Sequence, residues 1–390
     1  MRILWMSNAP WCPTGYGQQT GLFLPRLQNM GHQMSCFAFA GLEYGTLNMN
    51  GVQFFPRGGD PYGNDIVQAH YLAAGAEIII SLMDTWVMQP EGYPTGLIWV
   101  PWYPVDHDPM PDIVRGKIAQ AFKRIVMSKF GVRMTHEAGL DCYYIPLGVD
   151  TNIFSPGDKA KARATLHLPP DKWIVSTVAM NKGSDPSRKN FTEMAQAFAA
   201  FHKVHPDTFW CLHSMRGEGA NGVVNIPEML RLLGLIEGQD WAMPDQYRLL
   251  LGMPPSEVAE LYRASDCMML VSAGEGFGIP LLEAQACGCP VITSGWTSNE
   301  ELCLAGRMIE KRDAHKFYTS LASYQFLPDP LAIATALDEE YRARTNTEQA
   351  VKQIQKEYDA DVIAATMWKP ILREIAEKRN EFGEAQGWKQ

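Results

Sequence analysis

The sequence predicts an α/β fold built from two doubly wound parallel-sheet domains, and three observations support this prediction. The chain has 390 residues, more than a single ordinary hydrophobic core accommodates, so its length favours two domains. Short apolar runs typical of buried parallel strands alternate with helix-like stretches. This alternation pauses after about residue 150 and begins again near residue 173, which indicates a second sheet.

The first predicted domain, residues 1–150, opens with a strand, a glycine-rich loop and a helix, which is how nucleotide-binding α/β units begin. Its predicted elements are strands at Arg2–Met6, Gln33–Ala40, Glu77–Leu82 and Gly96–Val100, with a first helix at Gln18–Met30. In the loop, Gly15 and Gly17 lack Cβ atoms, so the backbone could closely approach either a phosphate group or the acceptor. Packing in a tight turn explains the two glycines equally well.

The second predicted domain covers residues 151–365. Its link to the first domain lies at about residues 148–170, where glycine, proline, aspartate and asparagine cluster. The predicted strands are Trp173–Val178, Thr208–His213, Cys267–Ser272 and Pro290–Thr293. The last segment, 366–390, belongs to a charged helical stretch that begins near residue 358, and we expect it to pack back toward the first domain.

Composition and charge narrow the class of protein. The formal net charge of −9 argues against a large nucleic-acid footprint, because binding a phosphate backbone requires clustered Lys and Arg. No apolar run approaches the roughly 20 residues of a membrane helix, and the N-terminal apolar run is too short for a signal-peptide core. The eight cysteines are scattered, which is typical of free thiols in a reducing compartment, and the close pair Cys287 and Cys289 is expected to serve packing. We therefore expect a cytoplasmic protein without membrane insertion; the sequence does not predict the oligomeric state.

The segment Ser272–Pro290 carries the strongest functional pattern. A buried strand ends in a glycine-rich loop, Pro280 suits the first position of a helix, and that helix is expected to stop at Gly288. The backbone N–H groups of Gly278 and Ile279 would then lie at the positive end of the helix. An anion such as a diphosphate is the expected occupant.

Two glutamates flank this loop. We expect Glu283 in the first helical turn, where its carboxylate would accept hydrogen bonds from a ribose diol, and we expect Glu275 to accept from the hydroxyls of a second sugar. The alternative is that Glu283 stabilises the helix end electrostatically and that Glu275 is a solvated loop residue. The surrounding glycines favour the functional interpretation.

This segment resembles the Glu-x7-Glu signature of the large family four of retaining glycosyltransferases, whose fold, GT-B, consists of two Rossmann-like domains facing a central cleft. The resemblance implies that the first glutamate and the loop amides hold the donor sugar and that the second glutamate holds the nucleotide ribose. By position, the donor-binding residues would be Glu275, Gly276, Phe277, Gly278, Ile279 and Glu283.

The resemblance extends beyond the signature. It includes Val126–Phe130 and Ile145–Pro156, which are similar to the crossing between the two domains of the family. It also includes the stretch from Leu251–Met253 to Asp266, which is similar to the strand and helix that precede the signature. We expect donor selection to depend on side chains near Leu251 and Met253, and on the segment 180–185.

A basic loop, residues 181–191, follows the first strand of the second domain. Its cations would neutralise a departing diphosphate as charge develops on that group. In the resembled family an arginine and a lysine act in this way; Lys189 matches the lysine, whereas the arginine position falls near Asn181 or Lys182, with Arg188 as the alternative. Without that context, Arg188 and Lys189 would be an exposed pair in a turn.

Asp106, His107 and Asp108 follow the last predicted strand of the first domain. The resemblance implies that His107 or Asp106 orients the acceptor hydroxyl or contacts the donor sugar. Alternatively, Asp106 and Asp108 form the Asp-X-Asp pattern that binds a divalent metal in the other glycosyltransferase fold, or His107 is a structural residue of a turn. Because Lys189 supplies positive charge, we expect no metal and no cofactor apart from the donor substrate.

The predicted function is the metal-independent transfer of a sugar from a nucleoside-diphosphate donor to a hydroxyl acceptor. The resemblance implies that the anomeric configuration is retained. The expected acceptor is a saccharide or glycoconjugate, with a hydroxylated base in DNA less favoured on charge. Two other classes stay open: a glycoside hydrolase that uses Glu275 and Glu283, and a non-catalytic two-lobed protein that binds a sugar or a nucleotide.

Overall fold

The structure is a computed structural model that describes residues 1–94, 96–182, 186–217 and 223–385, with side chains described as far as residue 381. It contains two compact units. The first consists of residues 1–105, 110–148 and the C-terminal segment from residue 358; the second consists of residues 106–109 and 149–357. The sequence-based boundaries at 150 and 365 assign three segments differently, 106–109, 149–150 and 358–365.

The first unit is built around an eight-stranded sheet. Its strands are β1 Arg2–Asn8, β2 Gln33–Ala40, β3 Leu47–Met49, β4 Val52–Phe55, β5 Ile78–Leu82, β6 Trp99–Tyr103, β7 Ile125–Val126 and β8 Tyr143–Tyr144. Their spatial order is β3-β4-β2-β1-β5-β6-β7-β8, and the neighbouring pairs are parallel apart from β3 with β4. The helices between them are α1 Gly15–Asn29, α2 Val67–Ala73, α3 Asp112–Ile118 and α4 Lys129–Glu137, with 3-10 turns at Thr85–Val87 and Pro90–Gly92.

The second unit contains a six-stranded parallel sheet and a separate two-stranded hairpin. The strands of the sheet are β9 Trp173–Val178, β10 Thr208–His213, β11 Trp241–Ala242, β12 Cys267–Leu270, β13 Val291–Ser294 and β14 Gly306–Ile309; the hairpin consists of β15 Ala314–Tyr318 and β16 Tyr324–Pro328. The helices are α5 Lys159–Thr165, α6 Phe191–Val204, α7 Ile226–Leu232, α8 Gln246–Leu251, α9 Pro255–Ala264, α10 Ile279–Ala286, α11 Asn299–Leu302, α12 Pro330–Ala343 and α13 Glu348–Glu357, with a 3-10 turn at Lys311–Asp313.

The predicted fold class is confirmed, and most predicted strands are present. Three of them, Gln33–Ala40, Trp173–Val178 and Thr208–His213, have the predicted bounds. The strand expected at Leu251–Met253 was wrong: Leu251 is the last residue of α8, and Gly252 and Met253 follow the helix. Asp245 caps α8 by accepting from the Arg248 N–H at 2.9 Å. No helix in the described part of the chain is long and apolar enough to cross a membrane.

The order of the second sheet, β11-β10-β9-β12-β13-β14, creates a switch point between β9 and β12. From β9 the chain continues to β10 and β11 along one edge of that strand, and it later returns as β12 along the opposite edge. In open parallel sheets, ligands bind beyond the carboxyl ends of the strands at such a point. The loops after β9 and after β12 therefore lie next to each other at the edge where a ligand is expected.

An aromatic cluster in the first unit joins the C-terminal helical segment to the sheet. This segment runs through α14 Ala360–Ile363, a π-helical turn at Ala364–Trp368 and α15 Lys369–Ala385. The fully buried ring of Trp368 lies 5.0 Å from that of Trp102 and 6.0 Å from that of Trp5, measured between centroids. Because these rings bury large apolar areas, they provide a major part of the packing of this segment.

We predict that Trp368→Ala lowers the free energy of unfolding of the first unit by about 3–5 kcal/mol, since it removes a buried ring and leaves a cavity. Arg373→Ala, an exposed position on the same segment, is the matched control and should change the value by less than about 0.5 kcal/mol. Urea unfolding followed by circular dichroism measures both. Equal effects of the two substitutions would contradict the packing role of Trp368.

Candidate functional site

The loop after β12 leads into α10 at the switch point. Gly278 caps the helix with a φ of +109°, a left-handed conformation that favours glycine. Ile279 is the first helical residue and Pro280 the second, so the prediction that Pro280 comes first was off by one. The N–H groups of the first turn have no partner within a helix, so this end of α10 favours an anion.

A buried carboxylate, that of Glu275, occupies the centre of this region. Lys189 forms a short ion pair with Oε1 of Glu275, and Nη1 of Arg188 lies 3.1 Å from Oε2. The same Arg188 nitrogen donates to the carbonyl of Gly274 at 2.7 Å. The structure therefore brings together three of the predicted catalytic residues, each from a loop at the carboxyl edge of the sheet.

The charges of this cluster depend on one another. Burial alone would raise the pKa of Glu275, but the cations of Lys189 and Arg188 lower it to about 2. Burial lowers the pKa of Lys189, and the nearby guanidinium of Arg188 acts in the same direction, while Glu275 opposes both. Glu275 is thus a permanent anion at neutral pH, and it is not the solvated loop residue of the alternative interpretation.

The backbone around Glu275 is held by the loop after β13. The hydroxyl of Thr297 accepts from the Glu275 N–H at 3.1 Å, and the hydroxyl of Ser298 lies 2.8 Å and 2.6 Å from the carbonyls of Glu275 and Phe277. Half-buried Gly276 lies between these carbonyls. The sequence analysis did not identify Thr297 or Ser298, although their position after a buried strand was a usable signal.

Of the three candidates for the arginine position, only Arg188 contacts Glu275 in the described part of the chain. Asn181 is fully buried, and its amide donates to the carbonyl of Val224 at 2.6 Å, which ties two loops together. Lys182 is exposed. Residues 183–185, part of the segment expected to select the donor, lie outside the described residues.

Glu283 is buried and lies on α10. It is the fifth residue of the helix, so the expectation that it lies in the first turn was wrong; the helix begins at Ile279. The hydroxyl of Tyr262 on α9 donates to Oε2 of Glu283 at 3.2 Å. Burial raises the pKa of Glu283 to about 7, and the Tyr262 hydrogen bond reduces that rise.

The segment 106–109 belongs to the second unit. Nδ1 of buried His107 lies 2.7 Å from Oδ1 of Asp106, and Nε2 lies 2.9 Å from the hydroxyl of Thr319. Burial would raise the pKa of Asp106, but the hydrogen bond with His107 lowers it, as does the charge of Arg188.

The two carboxylates of the Asp-X-Asp pattern have different partners. Asp106 pairs with His107, whereas Asp108 lies 2.7 Å from Nζ of Lys311. Among the described residues, no group of three or more His, Cys, Asp or Glu side chains is arranged to hold a metal ion.

The four remaining predicted residues belong to other elements of the chain. Gly15 and Gly17 belong to the first unit, at the start of α1. A Cβ on Gly17 would come within 2.3 Å of the Cys12 carbonyl oxygen, so close packing requires a glycine there. Leu251 is 66% exposed at the end of α8, and Met253 is half-buried two residues later. Donor-binding roles for these four residues stay predictions.

Comparison with solved structures assigns the fold to the GT-B glycosyltransferases. Sucrose-phosphate synthase from Thermosynechococcus elongatus has a TM-score of 0.75 and 16% identity, over 97% of this chain and 100% of that chain. Anabaena HepE in complex with UDP and glucose has a TM-score of 0.64 and 16% identity, over 96% of this chain and 100% of that chain.

Comparison of sequences confirms the resemblance to a glycosyltransferase family. Residues 237–316 match the family model of glycosyl transferases group 1. D-inositol 3-phosphate glycosyltransferases from Acidothermus cellulolyticus and Thermobispora bispora are 35% and 31% identical over 154 and 194 residues. These alignments span 38% and 48% of this chain but 32% and 43% of the relatives, which is less than half the length of either.

We predict that Glu283→Gln removes a pH dependence of stability. The pKa of Glu283 rises on folding from 4.5 to about 7, so the folded protein takes up a proton that the unfolded chain releases. The associated stability is complete below pH 4.5 and is lost as the pH rises through 7, a loss of about 3 kcal/mol. A glutamine stays neutral.

Urea unfolding at pH 4.5, 6 and 8 should therefore show the wild type losing stability relative to Glu283→Gln as the pH rises. The exposed Glu377→Gln is the matched control, and its difference from the wild type should stay constant. A constant difference for Glu283→Gln as well would contradict the raised pKa.

Proposed function

We propose that the protein is a retaining glycosyltransferase that moves a sugar from a nucleoside-diphosphate donor to a hydroxyl acceptor without a metal ion. The observation that carries this proposal is the cluster of Glu275, Lys189 and Arg188 at the switch point of the second sheet, beside the N-terminus of α10. The family match and the fold support glycosyl transfer; the donor, the acceptor and the stereochemistry are part of the proposal.

The cluster supplies two cations suited to a leaving diphosphate. Two cations, Lys189 and Arg188, face one carboxylate, and the N-terminus of α10 adds a partial positive charge. These groups would stabilise the negative charge that develops on the diphosphate as the glycosidic bond breaks. Because Glu275 already holds both cations in place, little reorganisation is needed when the donor binds.

The two glutamates would have separate roles. Glu275, ionised and anchored, would accept hydrogen bonds from hydroxyls of the donor sugar. Glu283, buried beside Tyr262, would accept hydrogen bonds from the ribose diol, which would favour its ionised form. A reaction with retained configuration then needs positioning and anion stabilisation rather than a strong base.

The hydrolase alternative requires one of these glutamates to be a general acid and the other a nucleophile. The pKa of Glu275 is about 2, so it carries no proton to donate at neutral pH, and each of its oxygens is paired with a cation, which opposes nucleophilic attack. We therefore favour transfer from a nucleotide donor, to a saccharide or glycoconjugate. A hydroxylated DNA base is the second choice of acceptor because the net charge is −9.

A binding panel tests the donor class. We predict that one of UDP, GDP, ADP, dTDP and CDP binds in the presence of a chelator, since protein cations replace the metal. Calorimetry with the nucleotides and their sugar conjugates measures this. Binding only after Mg²⁺ or Mn²⁺ is added would contradict metal independence, and hydrolysis of glycosides without any nucleotide binding would support the hydrolase.

We predict that Lys189→Ala lowers kcat for sugar transfer by about 10²–10³, the usual effect of removing one charge-stabilising group. Glu275→Ala should lower turnover by a larger factor than it changes the affinity for the bare nucleotide, because the sugar would lose its hydrogen-bond partner. Lys203→Ala, an exposed lysine on α6, is the control and should leave both values unchanged.

Circular dichroism verifies that each variant is folded, since removing one partner of a buried ion pair also destabilises. If Lys189→Ala and Glu275→Ala both turn over the donor like the wild type, the assignment of the site is wrong.

A further inference from the structure

Each of the four residues 106–109 is hydrogen-bonded to the hairpin that β15, β16 and the turn between them form. The segment 106–109 follows β6 in the sequence, whereas the hairpin lies about two hundred residues later, so the contacts are purely tertiary. The Thr319 hydroxyl contacts the His107 ring, and the Tyr324 carbonyl accepts from the Asp108 N–H at 3.1 Å. The Ser323 hydroxyl donates to the Pro109 carbonyl, and the Gln325 amide donates to the Asp106 carbonyl at 3.3 Å.

The other side of the segment rests on the loop that carries Glu275. A Cβ on Gly274 would come within 2.1 Å of the Asp106 carbonyl oxygen, so the backbones touch there and only a glycine fits. The hairpin is itself attached to this loop, because the Phe326 N–H donates to the Ala273 carbonyl at 3.0 Å. The segment is therefore enclosed between the hairpin and the catalytic loop.

Within this arrangement, both ring nitrogens of His107 are engaged. Nδ1 lies 2.7 Å from Asp106 and Nε2 lies 2.9 Å from the Thr319 hydroxyl. Thr319 is in turn held at the hairpin turn, where its N–H and its hydroxyl donate to the Ser323 carbonyl at 2.8 Å and 3.1 Å. With both nitrogens bound, the ring has one orientation before any substrate arrives.

We infer that the hairpin is a positioning element of the active site and that Thr319 is the positioning residue through which it orients His107 and Asp106 toward the Glu275 cluster. The inference rests on the proposed function. The family match ends at residue 316, within β15, so it does not include Thr319. Thr319 acts through His107 and does not itself contact the substrates.

The test compares Thr319→Val, which removes the hydroxyl at nearly constant volume, with Thr319→Ser, which keeps it. We expect Thr319→Val to lower kcat about tenfold, with donor KM and nucleotide affinity within about twofold, because a single hydrogen bond that orients the ring is lost. Thr319→Ser should restore kcat to within about twofold of the wild type. Thr335→Val, at an exposed position on α12, is the matched control and should be neutral.

A second variant covers the possibility that Thr319→Val unfolds. Thr319→Ala also removes the hydroxyl that contacts His107, without adding a methyl group in its place, and should lower kcat to a similar extent. If Thr319→Ser lowers kcat as much as Thr319→Val does, the inference is overturned, because packing of the side chain rather than the hydroxyl would then matter. So would an unchanged kcat in Thr319→Val.

A readout that needs no activity separates this inference from the proposed function. In protein with ¹⁵N-labelled histidine, the Nε2 signal of His107, assigned with His107→Gln, should shift in Thr319→Val and stay in place in Thr319→Ser. If the wild type transfers sugar from no nucleotide donor, the proposed function fails while this signal still reports the contact. An Nε2 signal that is unchanged in Thr319→Val overturns the inference itself.

Discussion

The second unit depends on the ionised carboxylate of Glu275, which is buried and must be neutralised where it lies. An unpaired buried charge costs several kcal/mol, so Lys189 and Arg188 have to reach it. They can do so only because β9 and β12 are neighbours in the sheet, which brings the loop after one strand against the loop after the other. The site therefore depends on the strand order, because a sheet in which β9 and β12 were not neighbours would leave Glu275 without its cations.

Burial raises the pKa of both glutamates, and the charges of their partners decide the net result. Glu275 faces two cations, and its pKa falls to about 2; Glu283 faces a phenol hydroxyl, and its pKa rises to about 7. Two identical side chains eight positions apart thus differ in charge near neutral pH. A ligand that donates hydrogen bonds to Glu283 gains from ionising it, whereas Glu275 offers the same acceptor at every physiological pH.

The sequence analysis identified the elements whose cause is local. The strand Trp173–Val178 has the predicted bounds because it is rich in β-branched and apolar residues and is buried on both faces, and Glu275 was found because glycines surround it. The misses have non-local causes. Strand β15 is partly exposed and contains two adjacent polar residues, His315 and Lys316, so it lacks the apolar run that would have predicted a strand. The hydrogen bond between His107 and Thr319 spans 212 positions, and no spacing rule reaches that far.

The use of a threonine to hold His107 has a physical reason. The ring already has a carboxylate, Asp106, on Nδ1, and a second carboxylate on Nε2 would add a negative charge close to Glu275, which the cluster would have to balance. A neutral hydroxyl orients the ring at no such electrostatic cost. Because that hydroxyl is held within the hairpin turn, the rotational freedom of His107 is removed during folding rather than when a ligand binds. The hairpin thus fixes the His107 ring beside a site in which the strand order has already brought Lys189 and Arg188 to Glu275.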